Sequence, residues 1–232
     1  MSGLERVGTR VRAAIAMAAL LAWAHAWAAD PALAAGRQIA THGTPAGVPA
    51  CSSCHGANGQ GVGAFPRLAG TGRTYLLEQL DAFANGSRQN PVMQPFAQKL
   101  TPAERVAVAS YFASLPPPLK AADSEATTPA DAGAWLAMRG RWSDQVPACD
   151  QCHGPGGSGV GANFPPLAGQ PAQYLGEQLK AWRAGSRPPG PLGLMAGIAK
   201  RLTDADVASI TTYYAGAGAA AKSTPVAKEK SQ

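Results

Sequence analysis

A five-residue motif occurs twice in this chain and constrains its structure more than any other feature: Cys51-Ser52-Ser53-Cys54-His55 and Cys149-Asp150-Gln151-Cys152-His153. The pattern C-x-x-C-H is typical of covalent c-type haem attachment. In that chemistry both cysteines bond to the haem, and the adjacent histidine is placed to ligate the iron. The chain has four cysteines, so the two motifs use all of them. The sequence therefore predicts two covalently bound c-type haems, with His55 and His153 as iron ligands.

Two other uses of paired cysteines remain open at this point. A structural zinc site takes four thiolates from two C-x-x-C pairs, but it would leave both motif histidines without a role. A thioredoxin-like redox pair needs a strand–helix–strand context, and the sequence shows none. The haem interpretation is favoured because it uses every cysteine and both histidines.

The first 29 residues have the pattern of an export signal. Arg6, Arg10 and Arg12 precede an apolar run, and Ala26-Trp27-Ala28 offers a cleavage site with small residues at both ends. The run is short and rich in alanine for a membrane span, and retention as an uncleaved anchor is the alternative. We predict a signal peptide over 1–29 and a periplasmic location, because bacteria attach c-type haem outside the inner membrane.

Similarity between the two halves extends far beyond the cysteines and indicates a duplicated module. Four further patterns recur in the same order: F-P-x-L-A-G at 65–70 and 164–169, Y-L-x-E-Q-L at 75–80 and 174–179, G-S-R at 86–88 and 185–187, and Leu-Thr at 100–101 and 202–203. We therefore predict domain 1 over 30–116 and domain 2 over 130–216. The stretch 117–129 is rich in Pro, Ala, Ser and Thr and predicts a linker. The Ala-, Gly- and Lys-rich segment 217–232 predicts a disordered tail.

The periodicity within each module is helical. Apolar residues at Leu76, Leu77, Leu80 and Phe83 form a stripe of helical period. Thr101-Pro102-Ala103-Glu104 is a capping box with proline at the first helical position, so a helix should run from there to about residue 115. Helices are also predicted at 34–42, 75–84 and 132–139, and no segment alternates with period two for long enough to require a sheet. A module of about ninety residues buries only a modest core, so the haem itself should complete it.

Met93 and Met195 are the candidates for the sixth iron ligand. Each lies seven residues before the Leu-Thr pair of its own module. An iron closed by methionine mainly transfers electrons, and the thioether raises its potential. A methionine in a Pro/Gly-rich loop could instead fill a gap in the core, but the matching positions favour ligation. Met138 and His42 have no such counterparts and are predicted to be core and surface residues.

Charge gives little support to nucleic-acid binding. The net charge of +6 comes from 20 Lys and Arg residues against 14 Asp and Glu residues, scattered along the chain. Nucleic-acid-binding proteins instead concentrate Lys and Arg in stripes or patches, and four haem propionates would offset much of the excess. We therefore expect redox proteins, and not nucleic acid, as partners.

In combination, these motifs resemble the dihaem cytochrome c4 family over nearly all of the chain after the export signal. The resemblance implies an all-α fold of two tandem class I cytochrome c domains, each a small helical fold wrapped around its haem. It implies pseudo-twofold symmetry with the haems facing each other across the interface. It also implies that the carbonyls of Pro66 and Pro165 orient the iron-ligating histidines. Glycine–tyrosine pairs should mark close crossings of the first and last helices of each domain, namely Gly36–Tyr111 and Gly133–Tyr213.

The same resemblance implies a periplasmic electron carrier, and not an enzyme, that is soluble or peripherally associated with the membrane. Its donor would be a quinol-oxidising cytochrome complex or a dehydrogenase, and its acceptor a terminal oxidase. Two alternatives are an electron-accepting subunit of a dehydrogenase and a dihaem enzyme with one open iron. A peroxidase or a thiosulfate-oxidising cytochrome would be of the second kind.

Two further observations concern the arginines and the second methionine loop. Arg88 and Arg187 are candidates to pair with haem propionates, with a solvated surface position as the alternative. The loop that contains Met195 has three more residues after its G-S-R pattern than the loop that contains Met93. We hypothesise from this difference that the two haems have different potentials.

Overall fold

The structure is a computed structural model that describes residues 30–117 and 131–220. Within these ranges the chain forms ten α-helices and four isolated β-bridges but no β-strand, which confirms the predicted all-α class. Domain 1 contains α1 (Pro31–His42), α2 (Ser52–His55), α3 (Arg73–Ala84), α4 (Met93–Lys99) and α5 (Pro102–Ser114). Domain 2 contains α6 (Ala132–Met138), α7 (Asp150–His153), α8 (Ala172–Ala184), α9 (Leu194–Ala199) and α10 (Asp204–Ala220).

Parts of the predicted domain organisation lie outside the described residues. The predicted signal peptide is one such part, and only Pro117 of the predicted linker is described. Helix α10 continues through Ala220, four residues past the predicted end of domain 2. The rest of the predicted tail, 221–232, also lies outside. None of the described helices is long and apolar enough to cross a bilayer.

The predicted capping box is confirmed at the start of α5. The hydroxyl of Thr101 accepts the N–H of Glu104 at 3.2 Å, and the Glu104 carboxylate accepts the N–H of Thr101 at 2.7 Å. In domain 2, Thr203 and Asp206 make the same pair of bonds before α10, at 3.1 and 2.8 Å. These bonds satisfy backbone donors that a helix start leaves unpaired.

The first and last helices of each domain cross at a glycine. A Cβ on Gly36 would lie 2.1 Å from the carbonyl oxygen of Ala107 and 2.8 Å from the Cβ of Tyr111. A Cβ on Gly133 would lie 2.4 Å from the carbonyl oxygen of Ser209. Only glycine allows the two backbones to approach this closely. Each crossing fixes the first and last helices of its domain relative to each other.

Each domain has its own buried apolar cluster between this crossing and the haem motif. The domain 1 cluster is built around Ile39, Val108 and Phe112, and the domain 2 cluster around Leu136 and Tyr214. Met138 packs against the domain 2 cluster, as predicted. His42 is exposed at the end of α1, which also agrees with the prediction.

Helices α4 and α9 were not predicted, and the methionines that we placed in loops belong to them. Met93 is the first residue of α4, and Met195 is the second residue of α9. Both helices are short, with seven and six residues. Pro95 lies in the first turn of α4, where a helix tolerates proline because no intrahelical bond is lost. The flanking Pro and Gly residues made both segments look like continuous loop.

Candidate haem-binding site

A continuous cavity of about 1400 Å³ extends between the helices of both domains. Its wall includes the four motif cysteines, both motif histidines and both candidate methionines. Pockets for one small organic ligand have about 300–1,000 Å³, so this cavity is large enough for more than one bulky cofactor. Most of its wall is apolar, as a haem requires.

A backbone carbonyl fixes the orientation of each motif histidine. The Nδ1 of His55 lies 2.8 Å from the carbonyl oxygen of Pro66, and the Nδ1 of His153 lies 2.7 Å from that of Pro165. Because a carbonyl only accepts, Nδ1 carries the proton and Nε2 keeps its lone pair for a metal. Burial lowers the pKa of both imidazoles, and this outweighs the opposite effect of the proline carbonyl. Both histidines are therefore held in the neutral form that binds iron.

The phenylalanine of each F-P motif packs edge-on against the histidine ring. The centroids of His55 and Phe65 are 6.1 Å apart at 73°, and those of His153 and Phe164 are 6.3 Å apart at 86°. Each imidazole is thus held by a carbonyl at one nitrogen and by an aromatic ring at its side. The two domains build this arrangement in the same way.

None of the four motif cysteines forms a disulfide, so all four are available for bonds to haem. Burial raises the pKa of the Cys51 and Cys149 thiols to about 11, which disfavours the thiolates that zinc binds. Over residues 30–117 and 131–220, no three His, Cys, Asp or Glu side chains are arranged to hold a metal ion. The four-thiolate zinc alternative therefore has no support in the geometry.

The methionines line the cavity from helices α4 and α9. Met93 is half-buried, and its N–H and that of Val92 donate to the Asn90 side chain at 2.9 and 3.0 Å. Met195 is also half-buried and follows Leu192, which adopts φ +58° and is 92% exposed. Left-handed backbone is uncommon for a branched side chain, so the longer loop of domain 2 holds a strained residue beside its methionine. Iron ligation by the two methionines stays a prediction.

Arg88 and Arg187 lie in the domain interface and are only 7% and 5% exposed. The alternative of a solvated surface position is therefore wrong. The Arg88 guanidinium lies 4.4 Å from the ring centroid of Phe83, and that of Arg187 lies 3.8 Å from that of Trp182. Stacking on aromatic faces suits the planar arginine cation.

The two arginines also form an arginine–glutamine network with Gln79 and Gln178 across the interface. Arg88 donates to Gln79 of its own domain at 2.9 Å and to Gln178 of the other domain at 2.7 Å. Arg187 donates to Gln178 at 3.1 Å and to Gln79 at 3.0 Å. Each arginine also donates to a tyrosine of the other domain, Arg88 to Tyr174 and Arg187 to Tyr75. The contacts are reciprocal, as pseudo-twofold symmetry requires.

The contact between Gln170 and Arg67 crosses the interface without a reciprocal partner, and the sequence analysis missed it. The Gln170 side chain accepts the N–H of Arg67 at 2.9 Å and donates to the Arg67 carbonyl at 3.0 Å. The residue that matches Gln170 in domain 1 is Thr71, which is too short to make the same pair of bonds. A comparison of the two F-P-x-L-A-G segments with their following residues shows this difference, but not its place in the interface.

The residues present fit two haems. The cavity is apolar, its histidines are neutral and correctly oriented, and three buried arginines line it: Arg67, Arg88 and Arg187. None of the three has a carboxylate within 4 Å among the described residues. A cofactor that carries propionates would supply the missing negative charge.

Known proteins with similar sequences lead to the same cofactor. The family model described as Cytochrome c matches residues 33–116 and 137–216. The "Thiosulfate dehydrogenase electron acceptor" of Stutzerimonas stutzeri (strain A1501) is 47% identical over 206 residues, 87% of this chain and 93% of that protein. A "Cytochrome c4" of Pseudomonas aeruginosa is 36% identical over 169 residues, 72% of this chain and 83% of that protein.

Two solved structures are similar to the whole two-domain arrangement. A thiosulfate dehydrogenase from Marichromatium purpuratum aligns with a TM-score of 0.71 and 42% identity, over 79% of this chain and 40% of that chain. The reduced recombinant cytochrome c4 from Pseudomonas stutzeri aligns with a TM-score of 0.67 and 32% identity, over 81% of this chain and 99% of that chain. The chain thus belongs to the cytochrome c family, as a dihaem electron-transfer protein of the cytochrome c4 type with two covalently bound c-type haems.

Proposed function

We propose that this protein is the periplasmic electron acceptor of a thiosulfate dehydrogenase and passes the electrons on to a respiratory acceptor such as a terminal oxidase. The observation that supports the donor is the 47% identity to a protein named for that role, over 93% of its length. Identity to the cytochrome c4 of Pseudomonas aeruginosa is 36%. The similarity is therefore greater to an acceptor that serves a dehydrogenase.

The side chains around the cavity support an electron carrier with closed irons. Cys51, Cys54, Cys149 and Cys152 hold the haems as thioethers, and a bound haem supplies one-electron redox chemistry. His55 and Met93 would ligate one iron, and His153 and Met195 would ligate the other. The carbonyls of Pro66 and Pro165 keep the imidazoles in place, so the ligand geometry need not rearrange when an electron arrives.

Exposed apolar side chains mark where the cavity meets the surface in each domain. Phe65 and Val92 lie at the domain 1 edge, and Phe164, Leu192 and Leu194 at the domain 2 edge. A redox partner that packs on either edge removes water from the shortest route to that haem. With one haem in each domain, the protein can receive an electron at one edge and release it at the other.

Arg88 and Arg187 contribute positive charge between the two haems. Both side chains line the cavity, which supports pairing of the two arginines with haem propionates in addition to the arginine–glutamine network. A charge-assisted bond to a carboxylate is stronger than a neutral one. The two arginines would thereby hold the haems in register across the interface.

The donor is tested by stopped-flow reduction of the oxidised holoprotein with a purified thiosulfate dehydrogenase and thiosulfate, followed in the haem α-band. We expect both haems to be reduced when the enzyme is present and neither to be reduced by thiosulfate alone. A monohaem c-type cytochrome at the same concentration is the control. Reduction no faster than that of the control would overturn the proposed donor. Turnover of thiosulfate by this protein alone would show an enzyme instead.

A cytochrome c4-like role with a quinol-oxidising complex as donor is the second candidate, and the match to 99% of a cytochrome c4 chain favours it. The same assay with a purified quinol-oxidising complex and quinol separates the two. Faster reduction by that complex than by the dehydrogenase would favour the quinol-oxidising complex as the donor. Localisation in the periplasm is checked by fractionation of cells, where a peripheral protein would leave the membrane fraction at high salt.

A further inference from the structure

Arg67 is a buried arginine of domain 1 with no counterpart in domain 2. Its side chain is 2% exposed and lines the cavity. Its Nε and Nη2 are buried and find no hydrogen-bond partner among the described residues. The matching residue of domain 2 is Pro166. One side of the interface therefore holds a cation that the other side lacks.

Thr71 adds a second unpaired polar atom to the same wall. It is also 2% exposed, it lines the cavity, and its hydroxyl has no hydrogen-bond partner within the described part of the chain. The matching residue in domain 2, Gln170, is fully used by its two bonds to the Arg67 backbone. Arg67 and Thr71 thus give domain 1 a polar cradle with free donors.

A buried guanidinium without an acceptor is costly. A buried polar group left unsatisfied loses its hydrogen bonds to water without replacement, and a charged group loses more. Burial lowers the pKa of Arg67 to about 10, so the side chain keeps its charge at neutral pH. An anionic acceptor inside the cavity would remove this cost.

The backbone around Arg67 is held from both sides. Gln170 binds its N–H and its carbonyl, and the carbonyl of the neighbouring Pro66 accepts a hydrogen bond from the His55 imidazole. Arg67 therefore directly follows the residue that orients the domain 1 histidine. Arg88 and Arg187 differ from it, because each already donates to glutamine and tyrosine oxygens, whereas the Nε and Nη2 of Arg67 have no partner among the described residues.

We propose that Arg67 and Thr71 form a binding site for a propionate carboxylate of the domain 1 haem, and that domain 2 has no equivalent site. Guanidinium N–H groups match a carboxylate in two-point geometry, and the threonine hydroxyl supplies a further donor. The inference rests on the haem that the family shows and does not depend on the proposed electron donor.

The site has a consequence that can be measured. Reduction removes one positive charge from a haem, so a nearby cation favours the reduced form. Arg67 is therefore expected to raise the potential of the domain 1 haem more than that of the domain 2 haem. A purely structural role for Arg67 would not shift one potential selectively.

The test is a spectroelectrochemical titration of the holoprotein with Arg67→Met, Arg67→Lys and, as the matched control, the exposed Arg73→Met. We expect Arg67→Met to shift the equilibrium of the domain 1 haem at least tenfold toward the oxidised form, which is about 59 mV for one electron. Arg67→Lys should recover at least half of that shift, and Arg73→Met should leave both waves in place. The waves are assigned in a Met195→His background, which lowers the domain 2 wave.

A two-haem Arg67→Met protein with an unchanged domain 1 wave would overturn the proposal, and so would a shift confined to the domain 2 wave. Should that variant fail to retain haem, Thr71→Val and Arg67→Lys provide the test through the propionate bending modes in the resonance Raman spectrum. At most two of the four propionate modes should shift in frequency, and both should belong to the domain 1 haem. Modes identical to the wild-type protein in both variants would refute the site.

Discussion

Domain 1 and domain 2 repeat one scaffold but surround their haems with different polar groups. The helix crossing at glycine, the histidine–proline bond and the edge-on phenylalanine occur in both domains with nearly equal geometry. Several buried or half-buried positions differ between domain 1 and domain 2, among them Ser52 and Asp150, Arg67 and Pro166, Thr71 and Gln170, and Phe112 and Tyr214. Scaffold positions determine how a haem is held, and the differing positions change the charges and hydrogen bonds beside it.

The pair Asp150 and Tyr214 shows how domain 2 uses its own differences. The Tyr214 hydroxyl donates to the Asp150 carboxylate at 2.7 Å, and the N–H of Gly156 donates to the other oxygen at 3.0 Å. A carboxylate thus lies within the second haem motif, where domain 1 has the neutral Ser52. Domain 1 instead has the cation Arg67. The haem motif of domain 2 therefore carries a carboxylate and domain 1 a buried cation, with no change to the helices around them.

The largest expected effect comes from the two methionines. The oxidised wild-type protein should hold two haems and show a far-red methionine–iron band of an intensity that matches two irons. Met93→Ala and Met195→Ala should each halve the band and lower the potential of one haem, because the thioether raises it. Haem content per chain and the oxidised optical spectrum provide the measurement. A wild-type band of half intensity would mean that one domain has an open iron, which would favour the enzyme alternative.

The next largest effect concerns the scaffold that both domains share. Gly36→Ala and Gly133→Ala should each cost about 3 kcal/mol, because the new methyl group overlaps a backbone carbonyl of the facing helix. Gly176→Ala is the control, since a Cβ on Gly176 would lie 3.9 Å from the nearest side-chain atom, Cγ1 of Val207. It should stabilise α8 by about 0.5–1 kcal/mol. Denaturant unfolding of the holoprotein measures the free energy of unfolding of all three variants. An unchanged free energy for Gly133→Ala would show that domain 2 does not depend on the crossing as domain 1 does.

A smaller effect is expected at the one-sided contact. Gln170→Ala leaves the N–H and carbonyl of Arg67 without their partners, which should cost about 2 kcal/mol of unfolding free energy. Gln173→Ala, three residues further along at the start of α8, is the control. It removes only an exposed bond to Glu177 and should cost less than about 0.5 kcal/mol. Equal costs for the two variants would contradict a specific role for Gln170 at the interface.

The smallest expected effect is a pH dependence of stability that arises from an ion pair in domain 2. Hydrogen bonds from Arg141 hold the pKa of Asp206 well below its usual range, and the matching Glu104 of domain 1 has no ion pair within the described ranges. A depressed carboxylate pKa contributes stability that is present above about pH 4 and is lost as the pH falls further. Asp206→Asn should therefore be less stable than the wild-type protein at pH 7, with a difference that shrinks below pH 4. Arg141→Met should behave in the same way, and a difference that persists at low pH in both would disprove the coupling.

Local sequence patterns predicted most of the scaffold. The C-x-x-C-H motifs and their repeats indicated two haems, and the box at Thr101 located the start of α5. The patterns failed where the partners are distant in the chain. Arg88 contacts Gln178, ninety residues away, so no local pattern could distinguish a buried arginine from a surface one. The difference between Arg67 and Pro166 is visible in the sequence, but its burial appears only once the domains are packed.

The reciprocal arginine–glutamine network has the form of an isologous contact, in which the same surface patch appears on both sides of a twofold axis. Two identical chains joined in this way must carry the same residue on both sides, so every substitution is made twice. Here one covalent chain supplies both halves, which lets Gln170 bind Arg67 although Thr71 and Pro166 occupy the matching positions. Joining the halves in a single polypeptide thus allows an asymmetry that a homodimer of one module could not encode.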